Sequence, residues 1–165
     1  MKRLFVITGA MLLLMGAATA FATHIPVCQL QGSWIGYDEN SNAYWINSIQ
    51  GQSSSSGTYV LEVPGLTGIF PGAVIGATAR GMWIRTGGNT FAVTVITLAV
   101  DPEGNTLGIT KLIATDTLSE DCNSMWIENR AELFWPNQNP FEDEPFLVMS
   151  LAGHWGYRMR VEELE

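Results

Sequence analysis

The chain has 165 residues, of which 47% are hydrophobic and 15% charged, and its formal net charge is −8. This length predicts one domain with enough apolar side chains for a core, and the hydrophobic content excludes a disordered chain. The acidic balance argues against binding to nucleic acids or to an anionic membrane surface, because both partners require a basic surface.

The N terminus has the features of a secretory signal peptide. Lys2 and Arg3 form a basic start, residues 4–15 are mainly apolar, and two A-x-A cleavage sites follow within residues 18–22. The apolar run is shorter than the ~20 residues that span a bilayer, although an uncleaved anchor is the alternative. Removal of residues 1–22 leaves 6 basic and 16 acidic residues, a net charge of −10. We therefore expect an exported protein, periplasmic or extracellular, with no membrane span after cleavage and one domain over residues 23–165.

Two cysteines, Cys28 and Cys122, remain in the mature chain. In an oxidising compartment such a pair predicts a disulfide, which adds roughly 4–5 kcal/mol on the chain-entropy account of loop closure. Two free thiols are the alternative. No C-x-x-C motif or histidine cluster accompanies the pair, so neither a metal site nor another cofactor is predicted.

After Leu30 the chain alternates strand patterns with turns, and no segment has helical periodicity over more than two turns. Eight strands are predicted, at residues 32–37, 43–50, 57–63, 73–85, 90–100, 106–118, 123–135 and 146–161. Eight sequential antiparallel strands favour an all-β, up-and-down barrel, with a β-sandwich as the alternative. In the barrel, Cys28 and the turn with Cys122 lie at the same end.

Alternating side chains on the last two strands predict one buried and one solvated face. The seventh strand places Met125, Ile127, Ala131, Leu133 and Trp135 on one face. The last strand places Leu147, Met149, Leu151, Trp155, Tyr157, Met159 and Val161 on one face, opposite Ser150, His154, Arg158 and Arg160.

The first strand opens with Gly32-Ser33-Trp34, which resembles the Gly-x-Trp start of the lipocalin (calycin) superfamily. The resemblance implies that Trp34 closes one end of an eight-stranded barrel and that a basic residue of the last strand, Arg158 or Arg160, packs across its ring. A second stretch, from Arg80 to Phe91, resembles a pattern of small secreted bacterial proteins of lipocalin-like shape. The resemblance implies small, mostly apolar ligands held in the barrel.

Large apolar side chains are candidates to line a ligand cavity in the barrel. They are Trp83 (or its neighbour Met82), Phe91, Met125, Trp135, Met149, Trp155 and Tyr157. The alternative is that they simply fill the core.

The loops at the open end are acidic and contain no Lys or Arg. Their acids are Asp38, Glu39, Asp101, Glu103, Glu142, Asp143 and Glu144. An acidic mouth favours neutral or cationic ligands, or a Ca²⁺ ion near the Asp38-x-Asn40-x-Asn42 stretch, although solvated turn charges are the simpler interpretation. The apolar loop Pro64–Gly72, with Leu66, Ile69 and Phe70, is expected to form a lid over the mouth or a patch for a partner protein.

Catalytic residues are scarce in this sequence, which lacks the common nucleophile, metalloprotease and phosphate-binding motifs. His24 lies near the mature N terminus, so His154 is the one candidate general base, with Asp116 or Glu62 as possible neighbours. We expect an exported binding protein for a small hydrophobic or amphipathic molecule. The alternatives are a barrel isomerase or cyclase that uses His154 and a ligand-free interaction module that uses the Pro64–Gly72 loop.

Overall fold

The computed structural model describes residues 27–38, 42–62, 69–74 and 78–160. Eight strands form one closed antiparallel barrel in which each strand pairs with its neighbours in sequence and β8 pairs with β1. The strands are β1 (Gly32–Asp38), β2 (Ala43–Gly51), β3 (Ser56–Glu62), β4 (Thr78–Arg85), β5 (Thr90–Val100), β6 (Thr106–Leu118), β7 (Ser124–Phe134) and β8 (Leu147–Arg158). The predicted all-β, up-and-down barrel is confirmed, and the sandwich alternative is wrong. The predicted signal peptide and His24 lie outside the described residues.

Most strand ends agree with the sequence prediction, and the largest difference is at the start of β4. Residues 73 and 74 are not part of the strand, because the chain makes a turn there with Gly72 at a φ of +87°. The backbone N–H of Ala73 donates to the carbonyl of Phe70 (3.0 Å), and that of Val74 donates to the carbonyl of Val100 (2.8 Å). No α-helix occurs in the described residues, and none of their segments is a helix long and apolar enough to cross a membrane.

A β-bulge in β8 changes which of its side chains face the interior. Ile127 pairs with His154 and Asn129 pairs with Leu151, so one residue of β7 lies opposite two residues of β8. The extra residue reverses the alternation of inward and outward positions. Leu147, Met149 and Leu151 are therefore on the inner face before the bulge, whereas His154 and Gly156 are on it after the bulge.

The reversed alternation corrects the predicted faces of β8. Trp155 and Tyr157, which strict alternation placed with Met149 and Leu151, lie on the outer face with 48% and 58% of their surfaces exposed. Trp155 packs there against Trp126, with ring centroids 5.2 Å apart. The inward residue at this level is His154, which the same alternation had assigned to the solvated face.

The end of the barrel where β1 begins is closed by covalent and polar contacts around Trp34. Cys28 and Cys122 form a disulfide, as predicted. Trp34 is fully buried, and its indole N–H donates to the carbonyl of Leu30 (3.0 Å). The Arg158 guanidinium lies 4.2 Å from the centroid of the Trp34 ring and donates to the carbonyls of Gln29, Gln31 and Cys122. Of the two arginines that the resemblance implied, Arg158 has this position.

Phe70 fills much of the opposite end of the barrel. It is 6% exposed and packs with Ala99 and Leu133, and its ring lies where a Cβ of Gly108 would be. Of the loop interpreted as a lid or a partner patch, the described residues 69–72 thus contain one side chain that is inserted into the barrel. Leu66 lies outside the described residues.

Gly36→Ala tests how tightly the barrel closes between β1 and β8. A Cβ at Gly36 would lie 2.1 Å from Cζ2 of Trp45 and 2.6 Å from the carbonyl oxygen of Trp155. We expect this variant to lose about 1–3 kcal/mol of unfolding free energy in urea, because the indole cannot shift without displacing its packed neighbours. The control is Gly88→Ala, where nothing lies within 4 Å of the new Cβ, with an expected change within about 0.5 kcal/mol. Equal stability of the two variants would contradict this packing.

Candidate functional site

The residues that were predicted to line a ligand cavity do not lie together in the structure. Trp83, Phe91 and Met125 are fully buried in the core near the closed end, where Trp83 and Phe91 make an edge-to-face contact. Met149 packs against the core from the other end. Trp135 is 52% exposed and stacks on Phe146, while Trp155 and Tyr157 are on the outer face, and Met82 is exposed.

A different set of inward side chains encloses a cavity of about 70 Å³ in the middle of the barrel. This volume is well above the ~10–15 Å³ that a single water needs. Its walls are mostly apolar, and we call the polar region around Asn47 and Tyr59 its floor. The lining residues are Asp38, Trp45, Asn47, Tyr59, Leu61, Val93, Val95, Leu112, Ala114, Ile127, Asn129, Leu151 and His154.

Three buried polar side chains form a hydrogen-bond relay at the floor of the cavity. The Asn47 amide N–H donates to the Tyr59 hydroxyl, which in turn donates to Oδ2 of Asp116 (3.3 Å). Burial raises the pKa of Asp116 to about 7, although the Tyr59 hydrogen bond opposes this. Burial, with the nearby Asp116 charge, also raises the pKa of Tyr59 well above its ordinary value. The barrel thus contains a carboxyl group in an apolar interior.

Six polar atoms among the described residues have no hydrogen-bond partner. They are buried, and each belongs to a side chain of the barrel wall: Trp45 Nε1, Asn47 Oδ1, Thr97 Oγ1, Thr110 Oγ1, Asp116 Oδ1 and Asn129 Oδ1. An unpartnered buried polar group costs about 1–3 kcal/mol. Because Trp45, Asn47 and Asn129 line the cavity, a molecule in it can supply the missing partners.

The cavity meets the outer surface at the seam between β1 and β8. The ladder there consists of three pairs and ends at Gly36 and Gly156. Beyond this pair, Asp38 and His154 line both the cavity and an outer groove that Trp126, Trp155 and Tyr157 also line. Among the described residues, Phe70 occupies the end of the barrel, so in this part of the chain the seam is the more open approach to the cavity.

His154 lies beside the cavity without the carboxylate neighbours that the sequence suggested. Its ring makes an edge contact with Trp45 (centroids 5.4 Å apart), and its Nδ1 is 3.4 Å from the carbonyl oxygen of Ala152. Asp116 bonds to Tyr59 instead, and Glu62 is exposed. The structure therefore places His154 as a wall residue of the cavity.

Two of the seven acidic residues of the open end stabilise their own turns. Asp101 accepts hydrogen bonds from the backbone and side chain of Asn105, which lower the pKa of Asp101, and Asp143 accepts one from the backbone of Asn139. Glu103, Glu142 and Glu144 are exposed. Of the stretch considered for Ca²⁺, residues 39–41 lie outside the described residues, whereas Asp38 lines the cavity.

Sequence reasoning missed Trp45, Asn47, Tyr59 and Asn129 as site residues. On β2, Tyr44 and Ile46 alternate with Trp45 and Asn47, so both faces carry large apolar side chains and neither is marked as the inner one. Asn129 lies beside the bulge, where alternation fails. A usable signal was the polar Asn47 on the same face as Trp45 and Ile49, because a polar residue on a buried face needs a partner.

Comparison of the chain with models of protein families, with curated proteins and with solved structures finds no match.

Proposed function

We propose that the chain is exported after removal of residues 1–22 and binds a small hydrophobic or amphipathic molecule inside its barrel, as lipocalin-like carriers do. The observation that carries the proposal is the central cavity, whose apolar walls enclose unpartnered polar atoms of Trp45, Asn47 and Asn129. Apolar walls with a few convergent polar groups are typical of small-molecule sites. The Cys28–Cys122 disulfide supports an oxidising compartment.

Two observations favour binding over the alternative functions. The candidate base His154 lacks the neighbour Asp116 that the sequence suggested, because Asp116 accepts a hydrogen bond from Tyr59 instead. Phe70, the one buried side chain among the described residues 69–72 of the loop, is inserted into the barrel and so is not available to a partner protein.

Filling the cavity tests the proposal. Ala114 lines the cavity and is only partly buried, so Ala114→Phe places a ring in the empty space. We expect benzyl alcohol or indole to bind the mature protein at one molecule per chain in calorimetric titration, and Ala114→Phe to weaken that binding at least tenfold. The matched control is Ala92→Phe on the outward face of β5, with affinity unchanged. Failure of both probes to bind, or equal binding by Ala114→Phe, would contradict the proposal.

A further inference from the structure

The charges around the cavity define the class of ligand, an inference that rests on the proposed function. Among the described residues that line the cavity, none is Lys or Arg, whereas Asp38 lies at its outlet and Asp116 lies behind Tyr59 at its floor. Three basic side chains of the described residues are engaged elsewhere. Lys111 pairs with Glu132 (3.0 Å), and Arg85 and Arg158 donate to backbone carbonyls at the closed end. An anionic ligand would therefore meet negative charge without a Lys or Arg among the described lining residues to pair with it.

The hydrogen-bond relay determines which atom of the Asn47 amide is left without a partner. Its amide nitrogen donates to Tyr59, because the Tyr59 hydroxyl is committed to Asp116. The remaining oxygen, Oδ1 of Asn47, is buried and has no partner, and the same is true of Oδ1 of Asn129. Two side chains that line one small space thus each carry an oxygen acceptor without a donor, and a ligand that donates hydrogen bonds would satisfy them.

One donor in the cavity is also unpartnered. The indole N–H of Trp45 is buried without an acceptor, and the Trp45 ring, with those of Tyr59 and His154, gives the cavity three aromatic neighbours. Aromatic faces attract cations, and this attraction grows as water is excluded. The oxygen acceptors, the carboxylates and the aromatic rings all favour a positively charged headgroup that donates hydrogen bonds.

We propose that the cavity binds a small organic cation, a protonated amine on a compact apolar body, whose ammonium donates to Asn47 and Asn129 near Asp38. An amine that also carries a hydroxyl or carbonyl would supply the acceptor for Trp45. Carboxylates of the same size, including short fatty acids, are excluded by charge.

The test compares three probes with one ring and different headgroups: benzylamine, benzyl alcohol and benzoate. At pH 8 and low salt we expect benzylamine to bind at least tenfold more tightly than benzyl alcohol and benzoate to bind more weakly than both. Asp38→Asn should reduce the preference for the amine over the alcohol at least threefold. The control is Asp101→Asn, an acid in a turn at the same end of the barrel, which should leave the preference unchanged.

The outcomes separate this inference from the proposed function. Comparable binding of all three probes, or tighter binding of benzoate, would overturn the cation assignment while leaving a binding protein. If no probe binds, both proposals fail. NMR of the side-chain amides gives a direct readout, since benzylamine should shift the signals of Asn47 and Asn129 more than those of exposed Asn137.

Discussion

Trp34→Ala should destabilise the barrel by about 3–5 kcal/mol, the range for removing a fully buried large aromatic side chain. The variant leaves a void at the closed end, removes the hydrogen bond to the Leu30 carbonyl and removes the ring beneath the Arg158 guanidinium. Because natural domains are stable by only about 5–15 kcal/mol, the loss is a large fraction of the total. Urea denaturation with the disulfide intact measures it.

The control for this prediction is a second tryptophan that tests the position of the bulge. Trp155→Ala removes a side chain that is half exposed and contacts Trp126 on the outer face. We expect it to cost about 1 kcal/mol or less. If Trp155→Ala were as destabilising as Trp34→Ala, the side chain would face the interior and the bulge in β8 would be misplaced.

Asp116→Asn should stabilise the protein at alkaline pH by about 4 kcal/mol. The pKa of Asp116 is about 7 in the folded chain, against 3.8 as its ordinary value. Between these values the folded state keeps a proton that the unfolded state has lost, so wild-type stability falls as the pH rises from about 4 to 7 and then levels off. The neutral amide removes this penalty and can still accept the Tyr59 hydrogen bond.

The measurement is the difference in unfolding free energy between Asp116→Asn and wild type from pH 4 to 8. It should be near zero at pH 4 and grow by about 1.4 kcal/mol per pH unit until it levels off above pH 7. Asp101→Asn provides the opposite sign, because hydrogen bonds from Asn105 lower the pKa of Asp101. This variant should be less stable than wild type by a nearly constant amount from pH 4 to 8, since the stabilisation is lost only as the pH falls below the ordinary pKa of 3.8. A pH-independent difference for Asp116→Asn would show that this carboxyl titrates normally.

The strands were predictable because their signals are local. Turns rich in Gly, Asn, Asp and Pro separate runs of β-branched and aromatic residues, and β5 and β6 have the predicted bounds. The resemblance of a short motif at the start of β1 implied that a basic residue of the last strand packs on Trp34, but it left Arg158 and Arg160 both open, and the structure has Arg158 there. These features depend on neighbouring residues in sequence or on one well-known arrangement.

The cavity was not predictable because it depends on which residues of each strand face inward and on contacts between strands that are distant in sequence. A single extra residue at Ala152–Gly153 exchanges the faces of β8, so the expected lining residues Trp155 and Tyr157 are outside and His154 is inside. The relay from Asn47 to Asp116 joins residues 69 positions apart in sequence on strands that are not neighbours. No alternation pattern contains that information.

The closed end and the cavity divide the barrel into a stabilising part and a polar part. Trp34, the disulfide and Arg158 fix one end, whereas the middle contains a desolvated carboxyl and unpartnered amide oxygens that reduce stability. Local rules of folding are commonly violated at functional sites. This division supports the proposal that the middle of the barrel serves binding.

Native mass spectrometry of the protein purified from its own exported fraction, without added ligands, tests the central proposal most directly. We expect a chain that begins at Thr23, contains the disulfide and carries one small molecule, which denaturation releases and which the Ala114→Phe variant lacks. A mature wild-type chain that carries no molecule, and whose mass stays unchanged when amines and alcohols are added, would contradict it.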